Sequence, residues 1–215
     1  FYINSKDGSP SIITNGDNTS ANYTFHVNSG SDFTMRNSEL HNCGYDWKEL
    51  PNKDAGLWIN TDNTIIENNT ITNNYYVGAF FYQSVNHTVV NNIVNSNRWY
   101  GIRLISSNNS RIIGNTVQST IDGITLSNSP NSDILNNTVS SSDDGIVVSD
   151  SPFTLITGNT ANSNGDGGIL VTSSPDCKIQ HNTANTNGDG IVVSSSARAI
   201  ITNNIANSNG DEGIY

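Results

Sequence analysis

The residues that could do chemistry are concentrated in the first half of this 215-residue chain. The segment HNCGYDWKELPNKDAGLWI, residues 41–59, places three carboxylates among tyrosine and tryptophan side chains: Asp46, Glu49 and Asp54. Glycoside hydrolysis uses two carboxylates about 5 to 9 Å apart. These three residues are therefore candidates for a hydrolytic pair.

A lyase or an epimerase needs a base and a group that stabilises developing negative charge. His26, Tyr82 and Arg103 have side chains of these types. No motif decides between the two reaction types, so both hydrolysis and elimination stay open. The candidate catalytic residues are thus Asp46, Glu49, Asp54, His26 and Arg103.

The elements that must position these residues follow from an internal repeat of 22 or 23 residues. One marker is a glycine followed by an apolar residue, at Gly56, Gly78, Gly101, Gly123, Gly145, Gly168, Gly190 and Gly213. A second marker is an asparagine, at Asn69, Asn92, Asn115, Asn137, Asn159, Asn182 and Asn204. We interpret both columns as structural: stacked amides satisfy the backbone at a tight bend, and the glycine position tolerates no side chain.

Apolar residues alternate after each glycine, as in Ile124/Leu126 and Ile146/Val148, which is the period of a strand with one buried face. Two more short apolar runs complete each repeat. Three short strands per repeat predict an all-β protein, a single right-handed parallel β-helix of about nine coils over residues 1–215. Strands of successive coils would stack at about 4.8 Å.

Alignment of the coils on the glycine column predicts which side chains point outward from the main strand: His26, Trp58, Phe80, Arg103, Thr125, Val147, Leu170 and Val192. Asn37 lies 19 residues before Gly56, whereas Asn69 lies nine before Gly78, which predicts a ten-residue insertion at about 44–53. A long excursion of this kind often walls a substrate groove. The side chains expected to bind substrate are Tyr45, Trp47, Trp58, Tyr76, Phe80, Tyr82, Trp99 and Tyr100.

Aromatic rings and charges are unevenly distributed along the chain. Fifteen of the 17 aromatic residues lie in 1–100, and rows of aromatic rings interspersed with charge suit a polysaccharide. An alternative is that these rings shield the strand face or contact another part of the parent protein. The net charge of −10, without a Lys/Arg cluster, argues against nucleic acid, and no apolar run is long enough to span a membrane.

Acidic residues recur at the turns of the later coils: Asp122, Asp144, Asp166, Asp189 and Asp211/Glu212. Stacked carboxylates raise one another's pKa or recruit a cation, and calcium is the cation that oxygen-rich turns prefer. The alternative is that Asn-Gly-Asp-Gly simply forms a good tight turn. The two cysteines, Cys43 and Cys177, lie far apart in the repeat and give no disulfide framework.

The Asn-Asn-Thr and Asn-Gly-Asp-Gly-Ile phrases of residues 56–215 resemble those of the right-handed parallel β-helix repeat superfamily. In particular, they resemble the NosD-like group and the carbohydrate-binding and sugar hydrolase domains. The Asn-rich composition also resembles cell-surface β-helix proteins of methanogenic archaea, including disaggregatase-like enzymes that cut the polysaccharide matrix between cells. The fold alone hosts many functions, so it does not specify a reaction.

These features predict a secreted or cell-surface protein that binds a polysaccharide and cleaves it as a glycosidase or lyase. The alternative from another class is a structural or adhesive surface protein without catalysis, whose coil ends stack on other domains or on each other. We also expect the chain to be a fragment of a longer polypeptide with further domains.

Overall fold

A computed structural model describes residues 2–4, 11–14, 24–44 and 55–215. These residues form 24 short β-strands arranged in three parallel sheets, and they contain no helix. A helix long and apolar enough to cross a membrane is accordingly absent from the described ranges.

Each coil of the chain supplies one strand to each sheet in turn, and we number the sheets in that order. Sheet 1 consists of β1 (Tyr2–Asn4), β4 (Thr34–Arg36), β7 (Ile65–Glu67), β10 (Thr88–Val90), β13 (Arg111–Ile113), β16 (Asp133–Leu135), β19 (Leu155–Thr157), β22 (Lys178–Gln180) and β24 (Ile200–Thr202). Sheet 2 consists of β2 (Ser11–Thr14), β5 (Ser38–His41), β8 (Thr70–Thr72), β11 (Ile93–Asn95), β14 (Thr116–Gln118), β17 (Thr138–Ser140) and β20 (Thr160–Asn162). Sheet 3 consists of β3 (Phe25–Val27), β6 (Leu57–Ile59), β9 (Val77–Tyr82), β12 (Tyr100–Ile105), β15 (Asp122–Ser127), β18 (Asp144–Ser149), β21 (Gly167–Thr172) and β23 (Asp189–Ser194).

Every strand pairs in parallel with the strand one coil away, so the predicted all-β parallel β-helix is confirmed. Sheet 3 contains eight described strands and sheet 1 contains nine, which matches the expected number of coils. The interior is a column of stacked apolar side chains. Ile102, Ile124 and Ile146, for example, occupy paired positions of β12, β15 and β18 and are fully buried.

The glycine column marks the point where the chain bends into sheet 3. A Cβ atom on Gly101 would lie 2.6 Å from the carbonyl oxygen of Gly123 and 2.4 Å from Cγ1 of Val117. Both distances are shorter than van der Waals contact, because neighbouring coils approach each other closely here. The structure therefore confirms the interpretation of this column as a packing requirement.

The asparagine column forms a continuous buried ladder. The backbone N–H and the side-chain Nδ2 of Asn92 both donate to Oδ1 of Asn115, at 2.9 Å each, and Nδ2 also donates to the carbonyl oxygen of Ile66. The residue before each ladder position adopts a left-handed backbone, as Asn91 does at φ 55°. Asparagine and glycine tolerate this conformation best, which explains the Asn-Asn and Gly-Asn pairs of the sequence.

Two further ladders were not predicted from the sequence. Asparagines five residues after the first column stack in the same way, as in Asn164 on Asn187. Serine side chains stack at the opposite turn, where Ser129 Oγ accepts the backbone N–H of Ser107. Each of the three ladders provides hydrogen-bond acceptors for buried backbone N–H groups at a corner of the coil.

The pairing register refines the predicted insertion. Leu40 pairs with Ile71 and Leu57 pairs with Ala79, offsets of 31 and 22 residues, so the chain holds nine extra residues between Leu40 and Leu57. The predicted count was ten because Asn37 was placed in the ladder. Asn37 instead occupies the left-handed position (φ 47°), and the backbone of Ser38 bonds to Asn69 in the ladder. Residues 45–54 lie outside the described residues.

Candidate functional site

The outward column of sheet 3 brings the predicted site residues of the first coils together. Pairing runs from His26 to Trp58, then to Phe80, Arg103 and Thr125, as the alignment on the glycine column predicts. We call the outer side of these coils the aromatic face; its members are His26, Trp58, Tyr76, Phe80, Tyr82, Trp99, Tyr100 and Arg103.

Ring contacts run without a break across the first three coils of the aromatic face. The ring of Trp58 lies 5.0 Å from that of His26 and 6.5 Å from that of Tyr82. Phe80 lies 5.8 Å from Tyr82 and is only 2% exposed. Phe80 was expected to contact substrate directly, but its burial places it underneath, where it supports Trp58, Tyr82 and Arg103.

A second group of rings lies where the chain enters sheet 3. Tyr76 lies 5.8 Å from Trp99 and 6.1 Å from Tyr100, and Trp99 is 40% exposed. Tyr100 pairs with Val77 of the preceding coil and with Asp122 of the following coil. The residues one position earlier, Trp99 and Tyr76, are therefore aligned with each other as well. Next to them the guanidinium of Arg98 stacks on the ring of Tyr75, a contact that the sequence did not suggest.

Arg103 is the cation of the aromatic face. Its guanidinium lies 4.0 Å from the centre of the Tyr100 ring and 5.8 Å from that of Phe80. Its buried Nε has no hydrogen-bond partner among the described residues. The side chain is thus held by stacking, and its terminal Nη groups, which form no hydrogen bond or ion pair with a described residue, can donate to another group.

Asp122 begins the next strand, β15, beside Tyr100 and Arg103. Burial and then the charge of Asp144 raise the pKa of Asp122 to about 6, while Arg103 and a weak hydrogen bond from Thr125 act in the opposite direction. Burial also raises the pKa of Tyr100. A carboxyl that titrates near neutral pH, a cation and a protonated phenol are groups that transfer protons and stabilise negative charge.

The sequence places Asp122 in the acidic turn column and in the same turn position as Tyr76 and Tyr100, but does not single it out as a site residue. The signal for its place in the site is the register, since it follows Arg103 by one coil on the same side of sheet 3. A turn residue does not obey the alternation of a strand, so its direction could not be inferred from the pattern. Asp122 is the functional candidate that sequence reasoning missed.

Five of the predicted site residues, Tyr45, Asp46, Trp47, Glu49 and Asp54, lie outside the described residues, so their roles stay predictions. The described residues on either side of this segment, Cys43 and Ala55, lie beside the aromatic face. The carbonyl of Cys43 accepts the backbone N–H of Tyr75 at 2.7 Å, and Ala55 packs with Val77 and Phe80.

The acidic turn column is less regular than the sequence suggested. Asp122 pairs with Asp144, and burial raises the pKa of Asp144 as well. The next residue in register is Gly167, whose backbone N–H donates to Asp144 Oδ1 at 2.8 Å, so Asp166 lies outside the column. Within the described ranges no group of three or more His, Cys, Asp or Glu side chains could hold a metal ion, calcium included.

The fold and its stacked ladders define a parallel β-helix repeat protein. The family model described as "Periplasmic copper-binding protein (NosD)" matches residues 2–150 and 119–215, so the chain belongs to the NosD family of right-handed β-helices. A search of curated sequences finds no match.

Solved structures with the same fold share little sequence with the chain. The A-module of mannuronan C-5 epimerase AlgE6 from Azotobacter vinelandii has a TM-score of 0.77 at 18% identity over 94% of this chain and 57% of that one. Pectate lyase Pel9A has a TM-score of 0.66 at 16% identity, over 95% and 71%. The Dettilon tailspike protein has a TM-score of 0.71 at 17% identity, over 84% and 42%. The chain thus spans about half the length of the epimerase module and the tailspike protein.

The family description implies copper, so we compared the described residues with what copper requires. Copper sites use thiolate, thioether or imidazole ligands held close together. Met35, Cys43 and Cys177 are buried in the core, and His87 is buried with its Nε2 3.0 Å from Ser84 Oγ. Burial lowers the pKa of His87 to about 4. These side chains are not clustered, and the described residues therefore do not fit a copper site.

Proposed function

We propose that the protein binds an extracellular polysaccharide along the aromatic face and cleaves it beside Asp122. The observation that carries this proposal is that Arg103 bridges two groups of rings, one from His26 to Phe80 and one around Tyr100, beside a carboxyl whose pKa is raised to about 6. Sugar rings stack on aromatic faces, and a carboxyl that titrates near neutral pH suits acid–base catalysis.

The dimensions of the face suit a chain of several sugar units. The rings occupy about four coils, which at about 4.8 Å per coil span roughly 14 Å or more. Trp99 and Tyr82 are accessible at the turn and at the end of the strand, respectively. The described residues that flank the insertion, Cys43 and Ala55, contact Tyr75 and Phe80, and we propose that Tyr45 and Trp47 complete the wall of this face.

The proposed location is outside the cytoplasm, on the cell surface or in the surrounding matrix. The family description names a periplasmic protein, and one protein of the same fold is the periplasmic alginate epimerase AlgG. The epimerase and lyase structures of the same fold are named for mannuronan and for pectate, which are both acidic polysaccharides.

The test is incubation with a panel of neutral and acidic polysaccharides, followed by size-exclusion chromatography and by an assay for new reducing ends. We expect shorter products from at least one polymer and loss of cleavage in Asp122→Asn. Asp189→Asn, a substitution at the paired position three strands further in sheet 3, is the matched control and should cleave normally. Failure to bind or cleave any polymer would instead favour a structural or adhesive surface protein.

A further inference from the structure

Resting on the proposed function, we infer that the polysaccharide is acidic and that cleavage is a β-elimination. In this reaction Arg103 binds the carboxylate of a uronate unit, and Asp122 removes the proton from the carbon next to that carboxylate. The inference stands on the unpaired guanidinium of Arg103 and on the position of Asp122 beside it.

Arg103 differs from every other arginine of the chain. The other four each have a polar side-chain partner: Arg36 pairs with Glu67 at 2.6 Å, Arg111 with Asp133 at 3.7 Å, Arg198 with Asp176 at 2.7 Å, and Arg98 with the hydroxyl of Tyr75. Arg103 forms no ion pair with a described residue, although Asp122 is near enough to influence it electrostatically.

The stacking of Arg103 determines what it can bind. A guanidinium that lies 4.0 Å from the Tyr100 ring centre has its plane restricted by the ring, and its N–H groups point along its edge. A planar carboxylate can accept two parallel hydrogen bonds from such an edge. In a chain with a net charge of −10, this cation is the described group of the aromatic face that would attract an anionic sugar.

The surroundings of Asp122 suit a catalytic base. The titratable or charged groups that influence it are Arg103 from β12 and Asp144 and Asp143 at the start of β18, while the phenol of Tyr100 is a neighbour in β12. A base whose pKa lies near the working pH is largely ionised and is still basic enough to accept a proton from the substrate. Of the two described carboxylates that influence Asp122, Asp144 already accepts the N–H of Gly167, which argues against its acting as the partner in a hydrolytic pair.

The reaction balances without an oxidant or a co-reactant. A carboxylate oxygen of Asp122 takes the proton from C5 of the uronate, and Arg103 stabilises the negative charge that spreads onto the sugar carboxylate. The electron pair then forms the C4–C5 double bond, and the bond from C4 to the glycosidic oxygen breaks. That oxygen takes a proton from the Tyr100 phenol, which burial keeps protonated, and Tyr100 regains a proton through solvent from Asp122.

The pH dependence follows from the direction of the shift. The base must be ionised, so kcat/KM for an acidic polymer should increase as pH rises through about 6 and then level off. The carboxylates of the sugar are already ionised over this range.

The first experiment uses polygalacturonate, polymannuronate and chondroitin as acidic polymers and a neutral β-glucan as control. Elimination produces an ultraviolet absorbance from the C4–C5 double bond together with each new reducing end, and we expect both signals from an acidic polymer only. New reducing ends without absorbance, or cleavage restricted to the β-glucan, would overturn the inference while supporting the proposed function. No cleavage of any polymer would contradict both.

The second experiment isolates the role of Arg103 by measuring binding in the inactive Asp122→Asn background. Methyl esterification of polygalacturonate removes the carboxylate charge and should weaken binding by roughly 10- to 100-fold. Adding Arg103→Gln should weaken binding to the free acid similarly and abolish the difference between acid and ester. Arg111→Gln, which removes the same charge from sheet 1, should keep that difference. An equal effect of esterification with and without Arg103 would overturn the assignment.

Discussion

The outer surface of sheet 3 differs between the two halves of the solenoid, whereas the interior is the same in both. At one outward position, the early strands β6, β9 and β12 carry Trp58, Phe80 and Arg103. The later strands β18, β21 and β23 carry Val147, Leu170 and Val192 at that position. Charge follows the same division, since residues 112–215 hold ten acidic and two basic side chains.

Inside the coils the two halves form the same hydrogen bonds with nearly the same distances. Asn92 and Asn159 each donate a backbone N–H at 2.9 Å and a side-chain N–H at 2.9–3.0 Å to the next asparagine of the ladder. Packing and hydrogen bonding at the bends therefore constrain every coil, and the outward positions are free to vary. The rings and charges of the aromatic face are not required by the fold, which is why we assign function to that half.

The largest expected effect comes from Asp122→Asn. General acid–base catalysis contributes about 10²- to 10⁴-fold, so cleavage should fall by that factor while binding is kept. Initial rates of product formation measure it. If Asp189→Asn, at the paired position of the later half, lost as much activity, the distinction between the two halves would be wrong.

The next effect tests whether the interior is equivalent in both halves. Asn92→Ala and Asn159→Ala each leave buried backbone groups without partners, and each should lower the free energy of unfolding by about 3 kcal/mol. Urea denaturation followed by circular dichroism measures both. A loss confined to one half would show that the ladder does not support the coils equally.

A smaller effect is expected from the rings. Trp58→Ala and Trp99→Ala should each weaken polysaccharide binding by about 1–2 kcal/mol, or roughly 5- to 30-fold. Leu170→Ala changes the outward column in the later half and should leave affinity unchanged. Calorimetric titration of the Asp122→Asn protein compares the three, with thermal unfolding as a check on folding; equal losses would contradict the assignment of the aromatic face.

The last effect is on stability and depends on pH. The pKa of Asp122 is raised from 3.8 to about 6, so the folded chain holds this proton more tightly than the unfolded chain does. Ionisation of Asp122 therefore destabilises the fold; the cost is absent below pH 3.8 and complete above pH 6. Asp122→Asn should raise stability at pH 7.5 by about 1–2 kcal/mol, a value reduced for partial exposure, and should change nothing at pH 3.5. Melting temperatures at the two pH values test it, and an increase at pH 3.5 alone would contradict it.

Much of the fold could be predicted because it repeats. The spacing of the glycine and asparagine columns equals the length of a coil. The alternation after each glycine correctly predicts the outward column from His26 to Val192. The second asparagine ladder was missed because its slot is filled by Thr120 and Ser142 in two coils, which interrupts the pattern.

Most of the site could be predicted from strand alternation and from the alignment of coils on the glycine column. Trp58, Tyr82 and Arg103 could be placed on one face because they belong to strands. Tyr76 and Tyr100 lie at the bend into sheet 3 and were expected on this face from that alignment, whereas Asp122 was missed because only the pairing register places it beside Tyr100. The burial of Phe80 depends on the rings of adjacent coils that cover it, which a column of residue types does not reveal.

The most direct test of the central claim is hydrogen–deuterium exchange of the Asp122→Asn protein with and without an oligosaccharide from a polymer that the parent protein cleaves. We predict slower exchange in the peptides that contain β6, β9, β12 and the start of β15, and unchanged exchange in β18, β21 and β23. Protection centred on β18–β23, or spread evenly over both halves, would contradict the assignment of polysaccharide binding to the aromatic face.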